Sequence, residues 1–450
     1  MNERDSEIIE QLLVPSGFIP VSDMDAADLI ILNTCSIRAK AEQKVYSLLG
    51  QLRRQKSRNP NLLIGVTGCV AQQEGNRIQR KMPHVDLVVG TQQIYRIPDL
   101  IENLTAQSGN LAAEITLSPA FAIPPFHNLL YTNTAALGPG ASPAPLDFKK
   151  FVTIMQGCNN YCSYCVVPFT RGREISRPVA DILEEVALLV SQGVKEITLL
   201  GQNVNSYGQT NAVADSSVDF SDLLHRVAEI KGIRRLRFTT SNPKDLSDEL
   251  MRCFAEIDTL CPQFHLPVQS GSDAVLKAMN RKYTISTYLQ QVESLLRYQP
   301  NLALSTDIIV GFPGETEDDF AGTMELLEKV RFHSSFSFKY SDRPGTRSAD
   351  FADKVAEETK SERLQRFQER QDQISLERNR EYLGRTMDVI IEGTGKNDLL
   401  HGRTTTNHIV HFPTEPGTRL DRGDQIKVKV NQAGQHSLAG NVIAKEDDHD

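Results

Sequence analysis

Apolar runs and helical patterns alternate through the first hundred residues. Residues 29–32 form a short apolar run typical of a buried strand, and the next twenty residues carry apolar side chains at helical spacing. The stretch "NLLIGVTGCVAQQ" repeats this plan, and "VDLVVGTQQ" supplies a third strand. Because strands that alternate with helices form parallel sheets, we predict a small α/β domain over residues 1–105.

The pattern breaks over residues 106–148, which are rich in Pro, Gly, Ala and Ser and are predicted to be a linker. Six β-rich apolar runs follow, with helical patterns between most of them. Polar and Gly-rich residues come after nearly every run, where parallel barrels place their sites. We predict an open six-unit barrel, followed by a long polar helix, over residues 149–383.

The C-terminal pattern is different, because short alternating runs separated by turns begin after Gly384. This is typical of a small all-β module, predicted over residues 384–446. The closing "EDDHD" reads as an acidic tail. The predicted fold is therefore an N-terminal α/β domain, a central partial (β/α)6 barrel and a C-terminal small β-barrel.

Composition narrows the class of protein. The 450 residues are 40% hydrophobic and 24% charged, with a net charge of −8. We find neither an 18-residue apolar run nor a secretory leader, so we expect a cytoplasmic protein. Seven cysteines, an odd number, favour metal-binding or reduced thiols over a disulfide framework.

Three cysteines stand at C-x3-C-x2-C spacing just after the first barrel strand: Cys158, Cys162 and Cys165. Four thiolates in paired C-x2-C motifs would suit structural zinc, and three would leave such a site incomplete. Three thiolates on an iron–sulfur cube instead leave one iron open, which S-adenosylmethionine can chelate. An electron from the cluster would then cleave that molecule and release a 5′-deoxyadenosyl radical.

Several longer phrases now carry a family resemblance. "GCNNYCSYCVVPFTRGREISRP", "LLGQNVNSYG", "FHLPVQSGSDAVLKAMNRKYT" and "STDIIVGFPGETEDDF" resemble the radical S-adenosylmethionine methylthiotransferases, over nearly the whole chain. The phrase "SIRAKAEQKV" favours the branch that acts on tRNA. The resemblance implies methylthiolation at C2 of N6-dimethylallyladenosine (isopentenyladenosine) beside the anticodon.

The resemblance also implies roles for residues. Cys158, Cys162 and Cys165 would hold the 4Fe–4S cluster that cleaves S-adenosylmethionine. The further residues assigned to S-adenosylmethionine are, in chain order, Tyr164 near the adenine, Gln202 and Asn203 at the amino group, and Ser305, Asp307, Gly311 and Phe312 at the nucleoside. A turn after a buried strand explains the last two equally well.

An auxiliary 4Fe–4S cluster is implied for the first domain, where Cys35 and Cys69 each follow an apolar strand. In the family a third cysteine lies in a "GCQMN" phrase, and Met1 and Asn2 align with the end of that phrase. We therefore expect the first strand and the first cysteine to be missing. A start codon assigned too far downstream and a genuine loss are both open explanations.

The C-terminal module resembles the TRAM domain, a small barrel that binds RNA. Its "HGRTTTNHIVHF" hairpin offers Arg403 and Asn407, and Arg171 and Arg173 beside the cysteine loop could meet anticodon-loop phosphates. The remaining thiols, Cys253 and Cys261, are interpreted as ordinary buried cysteines, and the strand residues His265 and His333 as core histidines. These last four residues receive no functional role.

The implied partners are tRNA, through its anticodon loop, and an electron donor such as flavodoxin or ferredoxin, acting on a monomer. Three alternatives stay open. The same chemistry could act on threonylcarbamoyladenosine in tRNA or on a ribosomal protein. The chain could be a non-catalytic RNA-binding protein with a structural metal, or a truncated and inactive paralogue.

Overall fold

A computed structural model describes residues 1–35, 39–106, 112–126, 147–210, 218–395, 399–414 and 419–445. Most of the predicted linker and the acidic tail lie outside these residues. The chain divides into two compact units, which are described separately. The first comprises residues 1–145, 155–159 and 166–181, and the second comprises residues 146–154, 160–165 and 182–450.

The first unit contains a parallel four-stranded sheet in the order β1-β2-β3-β4. Its elements are α1 Asn2–Leu13, β1 Leu29–Thr34, α2 Ala39–Arg58, β2 Leu63–Gly68, α3 Cys69–Glu74, α4 Asn76–Lys81, β3 Leu87–Val89, α5 Ile97–Ala106 and β4 Ala112–Glu114. Apolar side chains cover both faces, as a parallel sheet requires.

Strand β4 corrects the predicted boundary of the first domain. Ala112–Glu114 pairs with β3 in parallel, so the sheet extends into the segment that was predicted to be linker. The three residues are too short to give a periodic signal in a Pro-rich and Gly-rich context. Tertiary pairing rather than local pattern therefore makes this strand.

The next elements along the chain precede and follow the cysteine motif in sequence. The elements are β5 Lys149–Thr153, β6 Met155–Gln156, α6 Val167–Thr170, β7 Ile175–Ser176 and α7 Val179–Ser191. Strands β6 and β7 form an antiparallel pair within the first unit.

The second unit contains the six predicted barrel strands, in two parallel sheets ordered β5-β8-β9 and β10-β11-β12. A parallel β-bridge pairs Leu236, on β9, with Leu260, which lies just before β10, and so links the two sheets. The remaining elements are β8 Glu196–Leu200, α8 Phe220–Ala228, β9 Arg235–Thr239, α9 Asp248–Glu256, β10 Gln263–His265, α10 Asp273–Ala278, α11 Ile285–Tyr298, β11 Ala303–Val310, α12 Glu317–Val330, β12 Ser334–Lys339 and α13 Glu357–Arg380. The prediction of a partial barrel with a long polar helix is confirmed.

Local sequence explains where these helices begin. Thr316 caps α12 in a reciprocal capping box with Asp319, and Asp219 does the same for α8 with Asp222. Ser272 accepts a backbone N–H at the start of α10. These caps fix the loops that precede each helix, which are the loops at the carboxyl ends of the barrel strands.

The C-terminal module is a closed barrel in the order β13-β14-β15-β17-β16. Its strands are β13 Thr386–Thr394, β14 Leu400–Thr404, β15 Ile409–Phe412, β16 Gln425–Ala433 and β17 Leu438–Lys445. None of the described helices is long and apolar enough to cross a membrane.

Two buried arginines of β9 donate hydrogen bonds from the partial barrel to this module. Arg235 donates to the carbonyl oxygen of Arg403 at 2.7 Å, and Arg237 donates to that of Thr404 at 2.8 Å. Glu196, on β8, lies 3.2 Å from Arg237 and supplies negative charge. Side chains of the module also take part, because Glu392 pairs with Lys149 of β5 at 2.6 Å and Arg422 pairs with Asp147 at 2.6 Å.

Candidate metal centre

Cys158 lies directly after β6, in a turn that only glycine can form. Gly157 has φ 84°, and a Cβ there would lie 2.1 Å from the carbonyl oxygen of Arg173. The Cys158 backbone N–H donates to the carbonyl oxygen of Gly172 at 3.3 Å. The thiol is partly exposed, as a metal ligand must be.

Cys162 and Cys165 belong to the second unit, in a tight turn closed by a 3.0 Å hydrogen bond from the Cys165 N–H to the Cys162 carbonyl. Ser163, between them, anchors the turn on the end of α10. Its backbone N–H donates to Met279 at 3.0 Å, and its hydroxyl donates to Ala278 at 2.9 Å. Both thiols are partly exposed.

A guanidinium contacts this turn. Arg281 donates from Nη1 to the Cys162 Sγ at 3.4 Å and from Nη2 to the Pro267 carbonyl at 2.8 Å. Its Nε donates to the Tyr283 hydroxyl, also at 2.8 Å. The sequence interpretation assigned no role to Arg281, which lies 119 residues beyond Cys162 along the chain.

Tyr164 packs with Phe312, Tyr340 and Phe351 in an apolar cluster. Burial raises the pKa of the Tyr164 phenol well above its usual value near 10, so it stays protonated. The Phe312 side chain is fully buried in this cluster. A turn after a buried strand accounts for its position, and its help in binding the nucleoside stays a prediction.

Gly311 is also explained by packing. Its φ is 70°, and a Cβ there would meet the Lys360 side chain at 2.1 Å. Its N–H donates to the Glu315 carboxylate at 2.8 Å. The residue is required by the turn, and a contact with S-adenosylmethionine stays a prediction.

Asn203 shows an acceptor without a partner after β8. Its amide nitrogen donates to Asp245 at 2.7 Å and to Ser206 at 2.9 Å, while its Oδ1 is buried and has no hydrogen-bond partner among the described residues. A buried carbonyl oxygen of this kind favours a ligand that donates, such as an ammonium group. Gln202, beside it, is partly exposed, so the predicted role at the amino group fits both residues.

Ser305 and Asp307 are joined through a histidine. His265 Nδ1 lies 3.0 Å from the Ser305 Oγ, and His265 Nε2 lies 3.5 Å from an Asp307 carboxylate oxygen. All three side chains are partly exposed. The sequence interpretation took His265 for a core histidine; its side chain is 14% exposed and contacts two residues of the predicted site. Its register, directly opposite Ser305 on the parallel partner strand, brings it to the site.

In the first unit, Cys35 and Cys69 follow residues that pair across the sheet, because Thr34 lies opposite Gly68 in β1 and β2. Parallel register therefore places the two cysteines at matching strand ends, as the sequence suggested. Gly68 has φ 90°, and a Cβ there would lie 2.4 Å from the Thr34 carbonyl oxygen. Both thiols are partly exposed.

Arg171 lies beside Cys69, to which it hydrogen bonds, and pairs with Asp5 at 2.5 Å. Burial alone would lower the pKa of Arg171, but the Asp5 carboxylate and the Cys69 thiol raise it. The guanidinium is 3% exposed, which contradicts the prediction that it meets RNA phosphates. Arg173 is exposed and stays a predicted RNA contact.

Arg403 and Asn407 are brought together on the β14–β15 hairpin. The Arg403 guanidinium donates to Asn407 Oδ1 at 3.3 Å and to the Glu392 carboxylate at 3.1 Å. The hairpin lines a cleft of about 250 Å³ whose other wall includes Phe336, on β12, and His333. The cleft therefore opens between the partial barrel and the small barrel, within the second unit.

Cys253 and Cys261 are both buried in the core of the second unit, in agreement with their interpretation as ordinary thiols. Burial raises the pKa of the Cys253 thiol to about 11. Neither residue is suited to replace a cluster ligand, because a buried neutral thiol is a poor one.

The donor set fits an iron–sulfur cluster, whose irons take cysteine thiolates as ligands. Partly exposed cysteine thiols and a guanidinium that donates to one of their sulfur atoms suit such a cluster.

Comparison with known proteins identifies the family. Residues 152–327 match the radical SAM superfamily, residues 1–90 match the uncharacterized protein family UPF0004, and residues 380–443 match the TRAM domain. A tRNA-2-methylthio-N(6)-dimethylallyladenosine synthase of Desulfotalea psychrophila is 56% identical over 98% of this chain and 96% of its own length. The chain belongs to this synthase family. A synthase of the same name from Geobacter sulfurreducens is 46% identical over 100% of this chain and 96% of its own length.

Solved structures agree on the fold. The radical S-adenosylmethionine methyltransferase TsrM from Kitasatospora setae, with cobalamin and a 4Fe–4S cluster bound, gives a TM-score of 0.53 at 15% identity. The match covers 77% of this chain and 74% of that one. At this identity the likeness shows the fold alone, which for a member of the synthase family is the radical SAM barrel.

Proposed function

We propose that this protein is a tRNA methylthiotransferase that acts at C2 of N6-dimethylallyladenosine beside the anticodon. The observation that carries the proposal is identity of 44–56% with synthases of that name, spread over all three matched regions. A C2–H bond of adenine is too inert for any side-chain base at neutral pH. This inertness explains why the chain would need a radical chemistry.

Cys158, Cys162 and Cys165 would hold a 4Fe–4S cluster, and the support for this is their spacing and their partly exposed thiols. When bound, such a cluster supplies the electron that cleaves S-adenosylmethionine to a 5′-deoxyadenosyl radical. Cys35 and Cys69 would hold an auxiliary 4Fe–4S cluster, with a further ligand that is not among the described thiols.

The other site residues would bind and orient. The Asn203 Oδ1, which is buried without a partner among the described residues, would accept a hydrogen bond from the S-adenosylmethionine amino group. Ser305 and Asp307, linked by His265, would face the nucleoside. Arg403 and Asn407 would contact the RNA backbone, and Arg173 is a second candidate for that role.

Partners follow from the same proposal. We expect a cytoplasmic monomer that receives one electron at a time from a flavodoxin or ferredoxin. Low-potential one-electron donors of this class match a cluster that must be reduced before it can act.

Nucleoside analysis of tRNA tests the substrate. In a strain that lacks the gene, we expect N6-dimethylallyladenosine to accumulate and its 2-methylthio derivative to disappear, and we expect plasmid-borne wild type to restore it. Loss of a 2-methylthio form of threonylcarbamoyladenosine would assign the alternative tRNA substrate. Unchanged tRNA nucleosides with a ribosomal protein lighter by one methylthio group would assign the protein substrate.

A further inference from the structure

Arg281, in the second unit, is half-buried. Its guanidinium donates hydrogen bonds to the Cys162 sulfur, to a carbonyl oxygen and to a phenol. No carboxylate forms an ion pair with it among the described residues. A partly buried arginine is commonly paired with an anion, because removing a charge from water without compensation is costly.

Arg363, in the same unit, shows the ordinary arrangement. Its guanidinium is buried and pairs with the Glu315 carboxylate at 2.8 Å. The Arg281 guanidinium instead directs one N–H at the sulfur of a cysteine in the C-x3-C-x2-C motif. Among the described residues, the side chain in contact with Arg281 that becomes an anion as a metal ligand is therefore that of Cys162.

The position of Arg281 is fixed on several sides. The Tyr283 hydroxyl accepts from Arg281 Nε and donates to the Val268 carbonyl at 2.9 Å, which locks the phenol in place. The Pro267 carbonyl holds the second nitrogen. The turn that carries Cys162 is anchored separately by Ser163 on the end of α10. Both partners of the sulfur contact are thus held by independent hydrogen bonds.

We propose that Arg281 tunes the reduction potential of the cluster held by the C-x3-C-x2-C motif, by donating a charge-assisted hydrogen bond to the Cys162 sulfur. The proposal rests on the proposed function, because it requires that cluster. Reduction adds one electron, delivered by a one-electron donor, and no bond forms or breaks in that step. A fixed positive charge and a hydrogen bond at a ligand sulfur stabilise the added negative charge and raise the potential.

Arg281 acts through Cys162 and is therefore a positioning residue. Its effect is measured as a change in the reduction potential of the cluster. The experiment uses the full chain with Cys35→Ala and Cys69→Ala, so that a single cluster is titrated. Anaerobically reconstituted protein is poised at a series of potentials, and the reduced fraction is followed by electron paramagnetic resonance. Iron content and the thermal midpoint are measured on the same samples.

We expect Arg281→Met to lower the reduced-to-oxidised ratio at a given potential by about tenfold, which is 59 mV for a one-electron couple. Arg281→Lys keeps the charge and should give a smaller shift. Tyr283→Phe removes the acceptor for Nε together with the hydrogen bond to the Val268 carbonyl, and should shift the potential in the same direction. Arg252→Gln, which removes an exposed guanidinium paired with Asp248, should leave the potential unchanged.

The possible outcomes distinguish failure of the proposed function from failure of the role proposed for Arg281. A parent protein that binds no iron would sink the proposed function itself. A parent and an Arg281→Met variant with equal iron and equal potentials would overturn the role of Arg281 alone. If Arg281→Met loses its iron, Tyr283→Phe decides the matter, and an unshifted potential in that variant would count against the proposal.

Discussion

Two thiol sites in this chain are each contacted by an arginine, but the two cations are neutralised differently. In the first unit, Arg171 hydrogen bonds to Cys69 and also pairs with the Asp5 carboxylate. In the second unit, Arg281 contacts Cys162 and has no carboxylate partner among the described residues. The first guanidinium brings little net charge to its thiol, and the second brings a full positive charge.

This difference matches the electron transfer proposed for the C-x3-C-x2-C motif. A cluster that must accept an electron gains from a cation without a carboxylate partner, since the added charge is then stabilised. An arginine already paired with a carboxylate, as Arg171 is with Asp5, offers little of this stabilisation. The ion pair of Arg171 with Asp5 therefore belongs to the architecture of the first unit.

Removing the neutralised cation should give the largest loss of stability. Arg171→Met removes the arginine partner of the buried Asp5 carboxylate, and we expect a loss of about 3–5 kcal/mol in the unfolding free energy. Urea denaturation measures it, and an Asp5→Asn, Arg171→Met double variant should recover part of the loss. An Arg171→Met variant as stable as wild type would show that the pair does not anchor the first unit.

Each site also depends on a glycine directly before a cysteine, Gly68 and Gly157. Both have positive φ, and a Cβ would meet a backbone carbonyl within 2.5 Å. We expect alanine at either position to cost roughly 2–4 kcal/mol and to reduce bound iron at that site. Gly314→Ala is the matched control, because its φ is 83° and nothing lies within 4 Å. Equal effects at all three glycines would mean that φ alone, and not the close approach, is responsible.

His333 is a basic residue that carries no charge in the folded protein. Burial lowers the pKa of His333 to about 3, so the imidazole is uncharged in the folded protein. In the unfolded chain a histidine near 6.5 takes up a proton as the pH falls, so acid favours unfolding. We expect His333→Phe to remove about 2 kcal/mol of the stability difference between pH 7 and pH 5. Parallel pH profiles for the variant and wild type would show that His333 does not titrate this way.

The smallest effect is expected at Arg403, whose charge is partly neutralised by Glu392 at 3.1 Å. Arg403→Gln should weaken tRNA binding several-fold and reduce the slope of log K against log salt by about 1. Arg419→Gln, whose side chain is 89% exposed outside the cleft, is the control. Filter-binding at several salt concentrations measures both slopes. A larger loss for Arg419 would place the RNA elsewhere on the module.

Much of the fold could be predicted because strands, helices and caps leave local patterns. The six barrel strands and the long helix α13 are periodic over enough residues to be recognised. Strand β4 is only three residues long, so its pairing with β3 decides its state. Local pattern could not mark it as part of the first sheet.

The site was predicted unevenly for the same reason. The cysteine motif is contiguous in sequence, whereas Arg281 meets Cys162 across 119 residues and His265 meets Ser305 through strand register. The exposure of a side chain also could not be predicted from the sequence. Arg171 carries the right chemistry for contact with RNA phosphates, but tertiary packing buries it.

The most direct test of the account is the reductive cleavage of S-adenosylmethionine by the cysteine motif. Anaerobically reconstituted protein is incubated with dithionite and S-adenosylmethionine, and 5′-deoxyadenosine is quantified by mass spectrometry. The account predicts that wild type and Cys69→Ala form 5′-deoxyadenosine and that Cys162→Ala forms none. Formation by Cys162→Ala at the wild-type rate, or no formation by iron-loaded wild type, would contradict it.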